Sequence, residues 1–168
     1  MKNKNKYEII IHGRGGQGAK TTAEILVQAA ILKGKFVQAF PNFGPERTGA
    51  PMCAFVRISN EPIRTREPVV DPDCVLVLDE TITDVIDVTK NVTDTEALII
   101  NSTKEKQELA KKLKFEGNLI PIDASGMSQE IIGENRPNTV IIGRFAFASH
   151  IVELEDVIKV FRNKYENK

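Results

Sequence analysis

The segment Gly13-Arg14-Gly15-Gly16-Gln17-Gly18 follows directly on the apolar run Tyr7-Glu8-Ile9-Ile10-Ile11-His12. After it the periodicity changes. Ala23, Leu26, Val27, Ala30 and Ile31 recur at i, i+3, i+4, i+7 and i+8, the spacing of one helical stripe, and Gly34 can close that helix. Strand, glycine turn and helix in this order open a doubly wound sheet, and Lys35 to Phe40 supplies a second strand at the distance a parallel crossover requires. Few other folds begin this way.

The rest of the chain continues the alternation. Cys74 to Leu78 is a continuously apolar run of the kind that lies centrally in a parallel sheet, and Ala97 to Asn101 and Asn118 to Asp123 repeat the strand signal. Helical stretches are predicted at Lys104 to Lys114, Ser128 to Ile132 and Thr139 to Ser149. A last helix should present Leu154, Val157, Ile158 and Phe161 as its apolar face, with acids at its start and bases at its end. Met52 to Ile58 and Glu61 to Arg66, flanking Ser59-Asn60, read as a hairpin whose Pro62 confines it to an edge. The expected architecture is therefore α/β: a single domain over 1–168, with a doubly wound, mostly parallel sheet, helices on both faces and a β-hairpin addition.

With 23 basic and 23 acidic residues the formal charge is zero, which gives no basic field to gather nucleic acid or an anionic membrane. No apolar stretch approaches the roughly 20 residues of a membrane span, so the expected location is the cytoplasm. Cys53 and Cys74 sit singly in apolar runs, without the paired spacing of zinc or iron–sulfur ligands, and read as reduced core thiols. No metal site is expected. His12 and His150 read as structural.

The glycine turn matches G-x-G-x-x-G in its proper context, where backbone N–H groups and the start of a helix can meet an anion, and Arg14 adds a charge. A nicotinamide site would place an acid about 20 residues on to hold ribose hydroxyls. Phe36 to Phe40 offers none. A P-loop would need its lysine one position earlier than Lys20, and one residue on a helix is about 100° of rotation. The turn thus suits a phosphate-bearing or carboxylate ligand, or a partner's backbone. Pro41 to Pro51 carries three prolines and two glycines together with Phe43, Glu46 and Arg47. Leaving the same sheet edge as the turn, it can line one crevice with it.

Taken together, Gly13 to Lys20, Gln38-Ala39-Phe40-Pro41, Gly44 to Met52, Asp71-Pro72-Asp73 and Pro137-Asn138-Thr139 closely resemble the gamma subunits of 2-oxoacid oxidoreductases of the pyruvate:ferredoxin type. The resemblance implies a subunit of an enzyme that decarboxylates a 2-oxoacid on thiamine diphosphate with Mg, passes electrons through iron–sulfur clusters to ferredoxin or flavodoxin, and transfers the acyl group to coenzyme A. Thiamine and clusters would belong to partner chains. Within this chain the resemblance directs attention to Gly13, Arg14, Gly15, Gly16, Gln17, Gly18, Glu46 and Arg47 as cofactor-binding residues, none of them catalytic. Two alternatives stand beside it: a purely structural subunit, and an independent NAD-type enzyme using Asp79 as its ribose acid, although Asp79 is better placed as a helix cap.

Overall fold

The computed structural model describes residues 5–42 and 49–166. Six strands form one sheet in the order β2-β3-β1-β4-β5-β6. These are β1 (Lys6–Arg14), β2 (Phe36–Asn42), β3 (Pro51–Ser59), β4 (Cys74–Val77), β5 (Ala97–Asn101) and β6 (Asn118–Ile122). β1, β4, β5 and β6 pair in parallel, whereas β3 runs antiparallel to both β1 and β2. The helices are α1 (Ala19–Leu32), α2 (Lys106–Leu113), α3 (Ala124–Ile132), α4 (Pro137–Ser149) and α5 (Leu154–Tyr165), with a short 3-10 turn at Glu80–Asp84.

Period-two alternation divides the sheet's side chains between two cores. Ile9, Ile11, Val56, Leu76 and Ile99 face one layer with α1, α4 and α5, while Val75, Val77, Leu98 and Ile100 face Ile82, Leu109 and Phe115 on the other. Helices therefore cover both faces, as a doubly wound domain requires. At roughly 1.5–3 kcal/mol per buried large apolar side chain, these two layers supply the main term holding the fold together.

Four points differ from the sequence reading. The hairpin is β2–β3, not a pair flanking Ser59-Asn60, and residues 61–66 form no strand. Pro62 denies that segment a regular ladder bond, and it runs as an irregular strap tethered by Gln38 Nε2 donating to the Thr65 carbonyl at 2.8 Å. β2 is indeed parallel to β1, yet β3 lies between them, so α1 crosses over an inserted strand. On α5 the buried side is Asp156, Val157 and Val160, while Leu154 and Ile158 are exposed at 44% and 42%. Asp156 follows Val157 inward because Lys33 Nζ, 3.4 Å away, compensates its charge. Of the predicted α1 stripe, Ala23, Leu26 and Ala30 are buried and Ile31 is exposed; Ala19, Thr22, Ile25 and Ala29 are buried as well, since α1 packs against two helices as well as the sheet.

On the face of β3 away from α1, Arg57 is only 2% exposed and lies in a row with its cross-strand neighbours Glu8 and Gln38. Its Nε reaches Glu8 Oε1 at 2.6 Å and its Nη1 reaches Gln38 Oε1 at 2.8 Å. The Phe40 ring lies 5.9 Å from the guanidinium.

Candidate functional site

All the parallel strands end at one edge, and there a cleft of about 920 Å³ opens. The strand order turns at β1 and β4: β1 leads through α1 to one side of the sheet and β4 leads to β5 on the other. A switch point of this kind leaves a crevice between diverging loops. Gly16, Gln17 and Gly18 form one wall, Leu78, Asp79 and Glu80 a second, and Asn101, Ser102, Asp123 and Ser125 the floor beyond. The beginning of α4, with Arg136, Pro137 and Asn138, closes the far side.

The glycine turn is held by backbone geometry that side chains resist. Gly16 and Gly18 have φ of 97° and 86°, in the left-handed region. A Cβ on Gly18 would come within 2.9 Å of Asn138 Nδ2, so this glycine also lets the starts of α1 and α4 approach each other. Gly13 is packed beneath, where a Cβ would meet Ala19 and Leu78 at 3.3 Å. The Gly15 N–H donates to the Ala50 carbonyl at 3.1 Å, docking the end of the proline-glycine loop on the turn.

Arg14 and Gln17 face protein. The Arg14 guanidinium donates to Thr81 Oγ1 at 2.9 and 3.1 Å and to the Gly49 carbonyl at 3.2 Å, and its Nε lies 3.4 Å from Asp79 Oδ2. Gln17 accepts the Arg14 N–H at 2.7 Å and donates to Asp79 Oδ2 at 2.7 Å. Asp79 Oδ1 accepts from the Thr81 N–H and hydroxyl at 2.9 and 2.7 Å, capping the 3-10 turn. Partial burial raises the Asp79 pKa, but the Thr81 and Gln17 hydrogen bonds and the Arg14 charge outweigh it and hold the carboxyl below its ordinary range. With both oxygens engaged, Asp79 acts as a cap and is not presented to ribose hydroxyls.

The other acids of the cleft are paired too. Glu80 bonds Ser102 Oγ at 2.5 Å, Lys104 Nζ at 2.6 Å and Lys112 Nζ at 3.3 Å; burial opposes its ionisation, and these partners prevail. Asp123 caps α3 by accepting the Gly126 N–H at 2.8 Å, and Arg136 pairs with Glu134. Among the described residues, no three His, Cys, Asp or Glu side chains are grouped to hold a metal ion.

The cleft thus brings together Gly16, Gln17 and Gly18 of the predicted set, with Gly13, Arg14 and Gly15 shaping the turn behind them. Glu46 and Arg47 lie outside the described residues. Sequence reasoning missed Asn101, Ser102, Ser125, Arg136 and Asn138. The available signal was their position: each stands at or just past the end of a strand, or at or just before the start of a helix, on the carboxyl edge. His12, 9% exposed, is buried below the turn, and burial lowers its pKa to about 4. Burial pushes both the Cys53 and Cys74 thiols up.

Fold and cleft define a doubly wound α/β domain with a switch-point crevice lined by glycines and by the carboxamides of Gln17, Asn101 and Asn138. The pyruvate ferredoxin/flavodoxin oxidoreductase profile matches residues 8–168. The chain is 46% identical over 159 residues to the pyruvate/ketoisovalerate oxidoreductases common subunit gamma of Thermococcus kodakarensis, covering 94% of this chain and 86% of that one. To pyruvate synthase subunit PorC of Methanosarcina barkeri it is 45% identical over 155 residues, covering 92% and 84%. The crystal structure of pyruvate oxidoreductase subunit PORC of Thermotoga maritima superposes with a TM-score of 0.88 at 37% identity, over 96% of this chain and 86% of that one. The chain belongs to the pyruvate ferredoxin/flavodoxin oxidoreductase family, among its gamma subunits.

Proposed function

We propose that this chain is the gamma subunit of a multi-subunit enzyme that oxidatively decarboxylates pyruvate, or a related 2-oxoacid, to an acyl-coenzyme A with reduction of ferredoxin or flavodoxin. Similarity to gamma subunits over nearly the whole chain supports the assembly. The chemistry of the complex would use thiamine diphosphate, Mg and iron–sulfur clusters, held by partner chains. Cys53 and Cys74 stand on different strands, with no third ligand grouped beside either among the described residues. No step is assigned to a side chain of this subunit. No helix among the described residues is long and apolar enough to cross a membrane, in keeping with a complex working in the cytoplasm.

What this chain contributes is assembly contacts and part of the coenzyme A crevice. The observation that carries this is the cleft where the starts of α1 and α4 meet at Gly18 and Asn138, since helix N-termini present unpaired N–H groups to phosphate or amide oxygens. Gly16 and Gly18 would face the ligand, and Gly13, Arg14, Gly15 and Gln17 would fix the turn. Glu46 and Arg47 would serve the neighbouring subunit junction, with Arg47 attracting the acidic ligand or an opposing carboxylate.

The test is purification of the tagged chain with its native partners under anaerobic conditions, followed by an assay of pyruvate-dependent, coenzyme-A-dependent ferredoxin reduction. Recovery of thiamine-binding and cluster-bearing chains with that activity is the expected result. A solitary stable protein that binds a nucleotide unaided would overturn it. Within an active complex, Gly18→Val should raise the KM for coenzyme A; an unchanged KM with intact assembly would leave the chain a purely structural subunit.

A further inference from the structure

Two loops that are 62 residues apart in sequence are joined beside the cleft by a side-chain pair, Gln17 and Asp79. The Gln17 carboxamide uses both ends. Its oxygen accepts the Arg14 N–H at 2.7 Å, which closes the glycine turn on itself, and its nitrogen donates to Asp79 Oδ2 at 2.7 Å. Asp79 is in turn fixed by two bonds from Thr81, and Arg14 braces the same point from Thr81 to the Gly49 carbonyl. Three segments therefore meet at one carboxylate, the end of β1 through Arg14, the turn after it through Gln17 and the 3-10 turn through Thr81, and Arg14 extends the link to Gly49 at the entry to β3.

We infer that Asp79 is a positioning residue: acting through Gln17 and Arg14, it fixes the direction in which the Gly16 and Gly18 amides face the cleft. This rests on the proposed coenzyme A reading for its ligand, but the strut itself does not depend on it. Gly16 and Gly18 are in left-handed backbone that glycine alone adopts readily, so the turn's own conformational preferences leave it loosely defined. The strut supplies the missing constraint, and preorganised donors bind without the cost of ordering them.

Donor and acceptor across this pair can be exchanged without changing its shape. Gln17→Glu alone sets two carboxylates against each other. Gln17→Glu with Asp79→Asn restores one donor and one acceptor, because a carboxylate at 17 accepts from both the Arg14 N–H and the amide at 79. Each variant would be assembled into the complex, with subunit stoichiometry checked, and hydrogen exchange followed in peptides spanning residues 13 to 26 alongside the KM for coenzyme A and kcat. For Gln17→Glu the expectation is faster exchange and a KM raised about tenfold with kcat nearly unchanged, most of both effects reversing in the double variant.

Reversal of exchange with an unmoved KM would retain the strut and overturn the coenzyme A reading. Changes that the double variant fails to reverse, or no change in either variant, would overturn the strut.

Discussion

Asn101 and Ser125 exchange two hydrogen bonds, Asn101 Nδ2 donating to Ser125 Oγ at 2.9 Å and the Ser125 N–H donating to Asn101 Oδ1 at 3.1 Å. The same Nδ2 donates to the Leu78 carbonyl at 3.0 Å. One carboxamide at the end of β5 thereby ties the end of β4 to the first turn of α3 and makes the cleft floor a single piece. Asn101→Ala should cost about 1–3 kcal/mol, because it orphans partly buried groups in both neighbours. A urea melt of the isolated chain measures it, and in the complex the KM for coenzyme A should rise as the floor loosens.

Gly18 and Gly34 both adopt positive φ, at 86° and 69°, but a Cβ on Gly34 would enter open space whereas one on Gly18 would strike Asn138. Gly34→Ala should therefore show only the left-handed backbone penalty, about 1 kcal/mol. Gly18→Ala should exceed it, with the excess reporting displacement of Asn138. Thermal denaturation of the two variants side by side decides the matter, since about 1 kcal/mol corresponds to roughly 2–4 °C at this chain length.

Arg57 is the most deeply buried cation among the described residues, and removing it leaves Glu8 and Gln38 facing an empty space. Arg57→Ala should destabilise by about 3–5 kcal/mol. Glu8→Leu with Arg57→Met should recover part of that loss, because it removes the uncompensated carboxylate and refills the space, while Gln38 Oε1 still lacks its donor. The urea midpoint of the double variant should lie clearly above that of the single one.

His12 carries the acid sensitivity of the region below the turn. Its folded pKa, about 4, lies below the ordinary value of 6.5, so the unfolded chain binds this proton more readily than the folded one. The stability its neutral ring allows is fully present above pH 6.5 and is lost as pH falls from there toward 4. Replacing His12 by Gln should flatten the pH dependence of stability across that window. Melts at pH 7 and pH 5 would show a smaller difference than in the unaltered chain.

Much of this architecture was legible because the apolar patterning is strong where the sheet is buried on both faces: β4 and β5 were read almost to the residue. The hairpin was misread since Met52 to Ile58 is a good strand with two possible neighbours, and the proline-glycine loop hid the true one. α5 was misread only in part, since Val157 and Phe161 pack on the core as expected. Its period marked Leu154 and Ile158, but the tertiary pairing of Lys33 with Asp156 rotates that face outward. At the cleft, the glycines announced themselves by a motif, whereas Asn101, Ser125 and Asn138 are ordinary polar residues whose only distinction is where the sheet delivers them. The roles of Arg14 and Gln17 were hidden because their partners, Asp79 and Thr81, are remote in sequence.

The pairing of three of the four acids around the cleft with cations bears on how a ligand would be captured. Asp79 is matched by Arg14, Glu80 by Lys104 and Lys112, Glu134 by Arg136, and Asp123 is spent on its own helix. Apart from Asp123, the described wall offers peptide and amide dipoles and matched ion pairs, and the field of a dipole fades with distance faster than that of an ion. Recognition there is a matter of contact: an incoming molecule gains little until it touches the wall, and the hold it then acquires should change only slightly when the ionic strength is raised.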